Sequence, residues 1–356
     1  MLLCCSCSES ENNYNIDDSD GKKIVNITVL EYDDNLKGYV QSFNATNKEY
    51  KVVVKAFVEE FPQGETYYFD KDIEKLNTEL IAGNIPDIIV DTGSFLPIQS
   101  YINKGLLADI YPLMDADQDF SKEQYLQNAF SASEKDGKLY EIFPTFHIQT
   151  VYAKTSEVGV NYGWTLDEFA NYIELKQNSK LIISGFTKQY FVTKMISRLF
   201  LDSETGTYNF NHDEFMKLLQ IAERFPLEYP FEYNNFTIDL GISEGNPIMG
   251  YNMLSNPRQI REWEIVNAGE EISFIGLPQQ NGTILSGKGS SFVPSMKMVI
   301  MNKAKEKQGA WEFVKFTLDK QTISSNIYIP IKLSLIESIL EESKENRVVF
   351  NEVTKD

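Results

Sequence analysis

The stretch from Asp70 to Gly93, DKDIEKLNTELIAGNIPDIIVDTG, predicts a helix that is followed at once by a buried strand. Four apolar side chains recur at the spacing of one helical face: Ile73, Leu76, Leu80 and Ile81. Gly83 is typical of the left-handed residue that ends a helix, and Pro86 prevents the helix from continuing. The run Ile88–Val90 has no polar alternation, as in a parallel strand covered on both faces. The stretch therefore predicts an α/β unit.

The residues before this unit predict the rest of a parallel sheet. Ile24–Leu30 and Val52–Phe57 are β-branched runs, and a helix is predicted between them at 35–46. The order strand, helix, strand favours parallel pairing because a crossover helix returns the chain to the same end of the sheet.

Polar loops follow two of these strands at their carboxyl ends. In open α/β sheets ligands bind just outside those ends, so we predict Tyr32, Asp33 and Asp91 as ligand-binding residues. The alternative is that these side chains cap helices, which Asp and Ser often do.

Length and composition indicate an ordinary globular protein of two domains. The chain has 356 residues, more than one hydrophobic core usually supports, with 42% hydrophobic and 24% charged residues. Its 33 basic and 52 acidic residues give a net charge of −19. Nucleic-acid binding relies on clustered Lys and Arg, so we exclude nucleic acid as a partner.

The order of several further segments resembles the extracellular solute-binding proteins of ABC importers, family 1, the group that contains maltose-binding protein. The matching segments are Gly105–Leu113, Asp136–Tyr140, Phe143–Pro144, Val151–Lys154 and Gly163–Phe169. With the opening stretch they extend from about Ile24 to Lys320. The resemblance implies a two-lobed, type II periplasmic-binding-protein-like fold, in which each lobe is a sheet flanked by helices and the chain crosses a hinge three times.

The resemblance also implies domain boundaries. Lobe 1 is expected at 24–144 and 285–327, lobe 2 at 145–284 and 328–356, and a signal remnant and tether at 1–23. The first crossing is expected at Gly137–Lys154, where Phe143–Gln149 holds the hinge and places Phe146 and Gln149 in an interlobe cleft. By position in the family's second-domain segment, Tyr251 and Asn252 are expected to contribute an aromatic face and an amide.

Other patterns predict purely structural roles. Thr165 and Glu168 form a capping box, and Trp164 with Phe169 forms the accompanying hydrophobic staple, so Trp164 is predicted to pack rather than to bind sugar. Strands are predicted at Ile272–Pro278 and Met298–Met301, and helices at Gln308–Lys320 and Ser334–Ser343. Trp311 lies on the predicted core stripe of its helix.

All three cysteines, Cys4, Cys5 and Cys7, lie in the first seven residues. The opening MLLCCSCS resembles the end of a bacterial lipoprotein signal, and we assign lipidation to Cys7 because Ser6 precedes it and a polar tether follows. The basic and most of the apolar part of such a signal are absent, so the start is interpreted as truncated; a chance cysteine-rich terminus is the alternative. The expected location is the cell surface, anchored to the cytoplasmic membrane.

The motifs of common catalytic sites are incomplete. Gly282–Gly289 has phosphate-loop spacing, but Gly289 stands where the Mg²⁺-binding Ser or Thr is required. His147 and His212 are the only histidines, and neither spacing nor a nucleophile elbow supports a zinc site or a catalytic triad. A glycosidase pair among the 52 acidic residues is left open. We expect no metal and no cofactor.

The sequence thus predicts a binding protein, not an enzyme. Its 19 Tyr and 23 Phe favour a carbohydrate, whose C–H faces stack on rings while carboxylates and amides bind the hydroxyls. The expected mechanism is capture of a small solute, hinge closure and delivery to an ABC permease by a monomer. The alternatives are a secreted glycan-processing enzyme and a surface adhesion module.

Overall fold

The computed structural model describes residues 21–58, 67–93, 95–160, 163–179, 181–201, 207–208, 210, 212–229, 247–266, 269–280, 289–320 and 328–353. The predicted lipidation site Cys7, the tether before residue 21 and the glycine-rich loop at 281–288 lie outside these residues.

The chain divides into two compact units. The first comprises the described parts of Met1–Thr145, Ser295–Asn326 and Pro330–Leu335, and the second those of Phe146–Pro294, Ile327–Ile329 and Ile336–Asp356.

The strands and helices of the described residues alternate along most of the chain. The strands are β1 (Lys23–Glu31), β2 (Tyr50–Val58), β3 (Ile88–Asp91), β4 (Glu134–Lys135), β5 (Lys138–Leu139), β6 (Thr145–Lys154), β7 (Gly250–Leu254), β8 (Ile272–Phe274), β9 (Ser291–Pro294), β10 (Lys297–Ile300) and β11 (Ile329–Pro330). The helices are α1 (Asp34–Thr46), α2 (Asp70–Ile81), α3 (Ile98–Asn103), α4 (Tyr111–Ala116), α5 (Gln127–Ser131), α6 (Thr155–Val158), α7 (Leu166–Leu175), α8 (Lys188–Leu199), α9 (His212–Ala222), α10 (Arg258–Val266), α11 (Lys307–Asp319) and α12 (Leu333–Val353). The α/β class is therefore confirmed.

The sheet of the first unit has the strand order β10-β3-β1-β2. β1 is parallel to β2 and to β3, with Val29 opposite Val90, and β10 is antiparallel to β3, with Met298 opposite Val90. Because β1 and β3 are parallel neighbours, their carboxyl ends lie at one edge of the sheet. The loops that begin at Tyr32 and Thr92 leave the sheet there.

The stretch from α2 to β3 folds as its sequence predicts, apart from one side chain. Gly83 has a φ of +88°, and its N–H donates to the Leu80 carbonyl at 3.2 Å, which ends the helix. Leu76 and Leu80 are buried, but Ile81 is 86% exposed. Ile81 was wrongly placed on the buried face: one further residue turns the side chain by about 100° around the helix.

The sheet of the second unit is built on β6. β7, β8 and β9 each pair antiparallel with it. Residues 285–294 were expected in lobe 1, but β9 lies in the second unit because Val293 and Pro294 pair with His147 and Phe146. β8 is also shorter than predicted and ends at Phe274, since Gly276 has a φ of +68°, outside strand conformation.

The predicted structural tryptophans are buried. The Thr165–Glu168 capping box is present, and the Trp164 indole N–H donates to the Gly276 carbonyl at 3.0 Å. Trp311 is fully buried in α11. Both rings therefore hold the fold together, as their positions in the sequence predict.

Candidate functional site

The register of β6 brings a set of side chains to one face of the second unit's sheet. Gln149 lies opposite Met253 on β7 and opposite Ser291 on β9, and Val151 lies opposite Tyr251. Side chains alternate between the faces of a strand, and directly opposed residues share a face. These five residues therefore lie on the same face.

Tyr251 is the aromatic residue among these five. Its ring meets Phe186 edge to face, with centroids 4.8 Å apart, and its backbone N–H donates to the Ser184 hydroxyl at 2.9 Å. The Tyr190 ring lies 6.5 Å away at 71° to it, and Tyr190 is 37% exposed. We call Tyr190 and Tyr251 the tyrosine pair. The two rings are therefore steeply inclined to each other.

Arg198 lies beside the tyrosine pair. Its Nη2 donates to the Ser291 Oγ at 3.0 Å, which joins α8 to β9. Burial, and then interaction with the Tyr190 hydroxyl, raise the pKa of Tyr251 above its ordinary value, while the charge of Arg198 acts in the opposite direction. The Tyr251 phenol therefore stays protonated at neutral pH and can donate a hydrogen bond.

The same alternation separates the predicted ligand residues of the second unit. Gln149 and Tyr251 share the face just described, but Phe146 and Asn252 occupy positions of opposite parity and lie on the other face. Phe146 is buried and stacks on Phe292 at 4.1 Å, and the Asn252 Oδ1 accepts a hydrogen bond from the Met253 N–H at 2.8 Å. Phe146 and Asn252 therefore do not share the face of Gln149 and Tyr251, and their contact with a solute stays a prediction.

In the first unit, Tyr32 and Asp33 follow the carboxyl end of β1. Asp33 is the N-cap of α1, and its Oδ1 accepts a hydrogen bond from the Leu36 N–H at 2.8 Å. Burial raises the pKa of Asp33, against the effect of that hydrogen bond. Tyr32 is half-buried, with the Lys37 ammonium 5.7 Å from its ring centroid. Asp33 thus caps a helix, which was the alternative to ligand binding in its prediction. Tyr32 does not take part in this cap.

Asp91 organises the loop after β3. It is 3% exposed; its Oδ1 accepts from the N–H groups of Gly93 and Phe95, at 3.4 and 3.0 Å, and its Oδ2 accepts from the Leu96 N–H at 3.2 Å. A carboxylate engaged in this way supports the backbone, as in an Asx turn. Asp91 therefore acts as a support for the loop, which counts against its predicted contact with solute.

The side chain that this loop presents is Phe95, which sequence reasoning missed. Phe95 is 45% exposed, and its ring packs on Phe69 with centroids 4.5 Å apart. A Cβ on Gly93 would overlap the Phe95 ring, so the glycine makes room for it. An aromatic two residues after a glycine, just past a strand end, was the available signal. Tyr190 and Arg198 gave no comparable signal because they lie within a regular helix.

Metal ligation and membrane crossing find no support in the described part of the chain. No group of three or more His, Cys, Asp or Glu side chains there has the arrangement of a metal site. None of the described helices combines the length and the apolar run that a bilayer crossing requires.

Aromatic rings, hydroxyls and an amide gathered on one face of a sheet can bind a small polar solute. Residues 38–328 match the family described as bacterial extracellular solute-binding protein. The chain belongs to this family, which is one of solute-binding proteins rather than enzymes. No curated protein sequence matches it significantly.

Solved structures show the same two-lobed fold. An extracellular solute-binding protein family 1 member from Alicyclobacillus acidocaldarius is 15% identical, with a TM-score of 0.58 over 90% of this chain and 81% of its own. A periplasmic oligogalacturonide binding protein from Yersinia enterocolitica is 12% identical, with a TM-score of 0.58 over 90% and 82%. An ABC substrate-binding protein from Listeria monocytogenes, in complex with cycloalternan, is 16% identical, with a TM-score of 0.52 over 90% and 83%.

Proposed function

We propose that this solute-binding protein captures a carbohydrate. The observation that carries the proposal is the tyrosine pair beside Arg198, Ser291 and Gln149 on one face of β6 and its neighbours. Sugars need apolar rings for their C–H faces and neutral or charge-assisted hydrogen bonds for their hydroxyls. This face offers both.

The first unit also carries aromatic rings that can stack on a sugar. Phe95 presents a half-exposed ring, and Tyr32 presents a second ring at the edge where β1 and β3 end. We propose Phe95 and Tyr32 as the sugar-contacting residues of this unit. Asp33 and Asp91 hold the two loops and act on the solute through them.

The names of two structural neighbours support a carbohydrate over a peptide or polyamine. One neighbour is in complex with cycloalternan and another is named for oligogalacturonide. At sequence identities of 16% and 12%, the likeness shows the fold alone. The neighbours' names support the proposal only because the aromatic and polar residues of this chain also suit a carbohydrate.

A ligand panel tests the proposal. Thermal unfolding is measured with neutral and acidic oligosaccharides, polyols, peptides and polyamines, followed by calorimetric titration of the best ligand. A carbohydrate at about one hundred times its dissociation constant should add roughly 2.7 kcal/mol of stability, because it binds only the folded chain. Stabilisation by peptides or polyamines alone contradicts the proposal. Release of shorter sugars during the titration favours the glycan-processing enzyme instead.

We further propose that the protein is a monomeric lipoprotein that is anchored outside the cytoplasm through Cys7 and delivers its solute to an ABC permease. Two or three acyl chains hold a protein firmly on a bilayer, whereas one holds it only marginally. The chain is expressed in bacteria behind the basic and apolar regions of a secretion signal and partitioned in detergent. Cys7→Ser should move it to the aqueous phase, while Cys4→Ser and Cys5→Ser should not. Retention of Cys7→Ser in the detergent phase contradicts this assignment.

A further inference from the structure

Arg198 occupies a position where three elements of the second unit meet. It projects from the last turn of α8, its Nη2 donates to the Ser291 Oγ of β9 at 3.0 Å, and its charge acts on the Tyr251 phenol of β7. Tyr190 is carried by the first turn of the same helix. The two members of the tyrosine pair thus belong to different elements: Arg198 shares α8 with Tyr190, and its charge acts on Tyr251 of β7.

Apolar packing and polar contacts together hold α8 in this arrangement. The buried side of α8 consists of Phe191, Met195 and Leu199, which pack into the core of the second unit. Such packing is non-directional, so the direction of the helix relative to the sheet depends also on its hydrogen bonds. A guanidinium is a rigid fork, so its hydrogen bonds fix both direction and distance. The bond to Ser291 therefore opposes a shift of α8 relative to the sheet.

The distance between the two rings of the tyrosine pair depends on the position of α8 relative to the sheet. Tyr190 moves with α8, whereas Tyr251 is fixed to the sheet by its β-ladder and by the Ser184 hydroxyl. A stacking surface loses affinity when one ring shifts by about 1 Å, because the bound geometry is no longer matched.

We propose that Arg198 is a positioning residue for solute binding: through Ser291 it sets the spacing of Tyr190 and Tyr251. This inference rests on the proposed function, since the pair is taken to contact the solute. Its mode of action predicts non-additivity, because a residue that acts through Tyr251 has nothing left to position once that ring is removed.

The test is a set of mutant cycles, measured by calorimetric titration with the best carbohydrate at a temperature where every variant is fully folded. Arg198→Met and Ser291→Ala are combined with each other and with Tyr251→Ala. Arg198→Lys keeps the charge and one donor. The control is Arg258→Met: Arg258 lies on α10 of the same unit and is ion-paired with Glu342 of α12.

Arg198→Met should weaken binding by roughly three- to thirtyfold, and Arg198→Lys should recover part of this loss. In the Tyr251→Ala and Ser291→Ala backgrounds, Arg198→Met should have little further effect. Arg258→Met should lower the melting temperature but not the affinity.

Three results overturn the inference while carbohydrate binding stands. The first is that Arg198→Met leaves the affinity unchanged. The second is that the losses of affinity from Arg198→Met and Tyr251→Ala multiply in the double variant, and the third is that Arg258→Met loses as much affinity as Arg198→Met. Multiplicative losses assign Arg198 to direct solute contact. If no carbohydrate binds the unmodified chain, the proposed function fails and this inference fails with it.

Discussion

The Asp91 carboxylate accepts a hydrogen bond from the backbone N–H of Phe95 at 3.0 Å. Asp91 was expected to bind the ligand, whereas Phe95 was not. Asp91 is buried and shapes the loop, and the loop holds the Phe95 ring against Phe69 at the surface. Asp91 thus supports the backbone of the loop, and the exposed ring of Phe95 is available to contact a solute.

Gly93→Ala should displace the Phe95 ring. The added Cβ overlaps the ring, which is the movable end of a side chain, so the free energy of unfolding should change by less than about 1 kcal/mol. Affinity for the best carbohydrate should fall to nearly that of Phe95→Ala. Calorimetric titration of both variants checks this, and an unshifted Phe95 in a crystal structure of Gly93→Ala would contradict it.

Tyr251→Ala should weaken carbohydrate binding by about 1–3 kcal/mol, the range for an anchoring aromatic residue. The matched control is Tyr208→Ala in the same unit, because Tyr208 is 54% exposed and stacks on Phe210. Titration calorimetry measures both affinities, and circular dichroism confirms that each variant is folded. Equal effects of the two substitutions would remove Tyr251 from the site.

Two helical glycines should respond to alanine with opposite signs. At Gly309 of α11 a Cβ would overlap the Tyr50 ring and lie 2.7 Å from Val25 Cγ2, so overpacking should cost about 1–3 kcal/mol. At Gly38 of α1 nothing lies within 4 Å of the new Cβ, and alanine should stabilise by about 0.5–1 kcal/mol. Denaturant unfolding of both variants measures the difference, and a stabilising Gly309→Ala would show that this core yields to the extra methyl group.

Asp117 should make the first unit sensitive to acid. Burial alone would raise the pKa of Asp117, but hydrogen bonds from Lys315 and Trp311, at 2.6 and 2.8 Å, outweigh it and lower that pKa. A carboxyl with a lowered folded-state pKa stabilises the fold above its unfolded pKa, near 4, and this stabilisation is lost as the pH falls through the folded value.

Asp117→Asn should therefore cost about 1–3 kcal/mol at neutral pH and should make unfolding less dependent on pH between about 5 and 2. The control is Asp34→Asn, since the Asp34–Lys37 pair is exposed and contributes about 0.5 kcal/mol or less. Urea unfolding at several pH values provides the measurement. Parallel pH profiles of Asp117→Asn and the unmodified chain would exclude this role.

Local sequence was sufficient for α2 and its end, for β3 and for the cap of α7. The apolar spacing of α2, the left-handed Gly83 and the uniform run of β3 specify a helix, its end and a buried strand from adjacent residues alone. The Thr165–Glu168 capping box is specified in the same way. These features depend on contacts between residues at most a few positions apart, so the pattern contains all the information that they need.

The composition of the candidate site was decided by tertiary structure. Which residues of the other strands lie beside Tyr251 depends on the register of β7 and β9 against β6, because a slip of one residue moves each side chain of a strand to the other face. Arg198 and Ser291 are brought within 3.0 Å only by the packing of α8 on that sheet. The sequence by itself determined the class of fold and the strand ends near which ligand residues lie. Long-range pairing decides which side chains meet there. The free energy of these contacts comes from residues far apart in the sequence, so no local pattern identifies them.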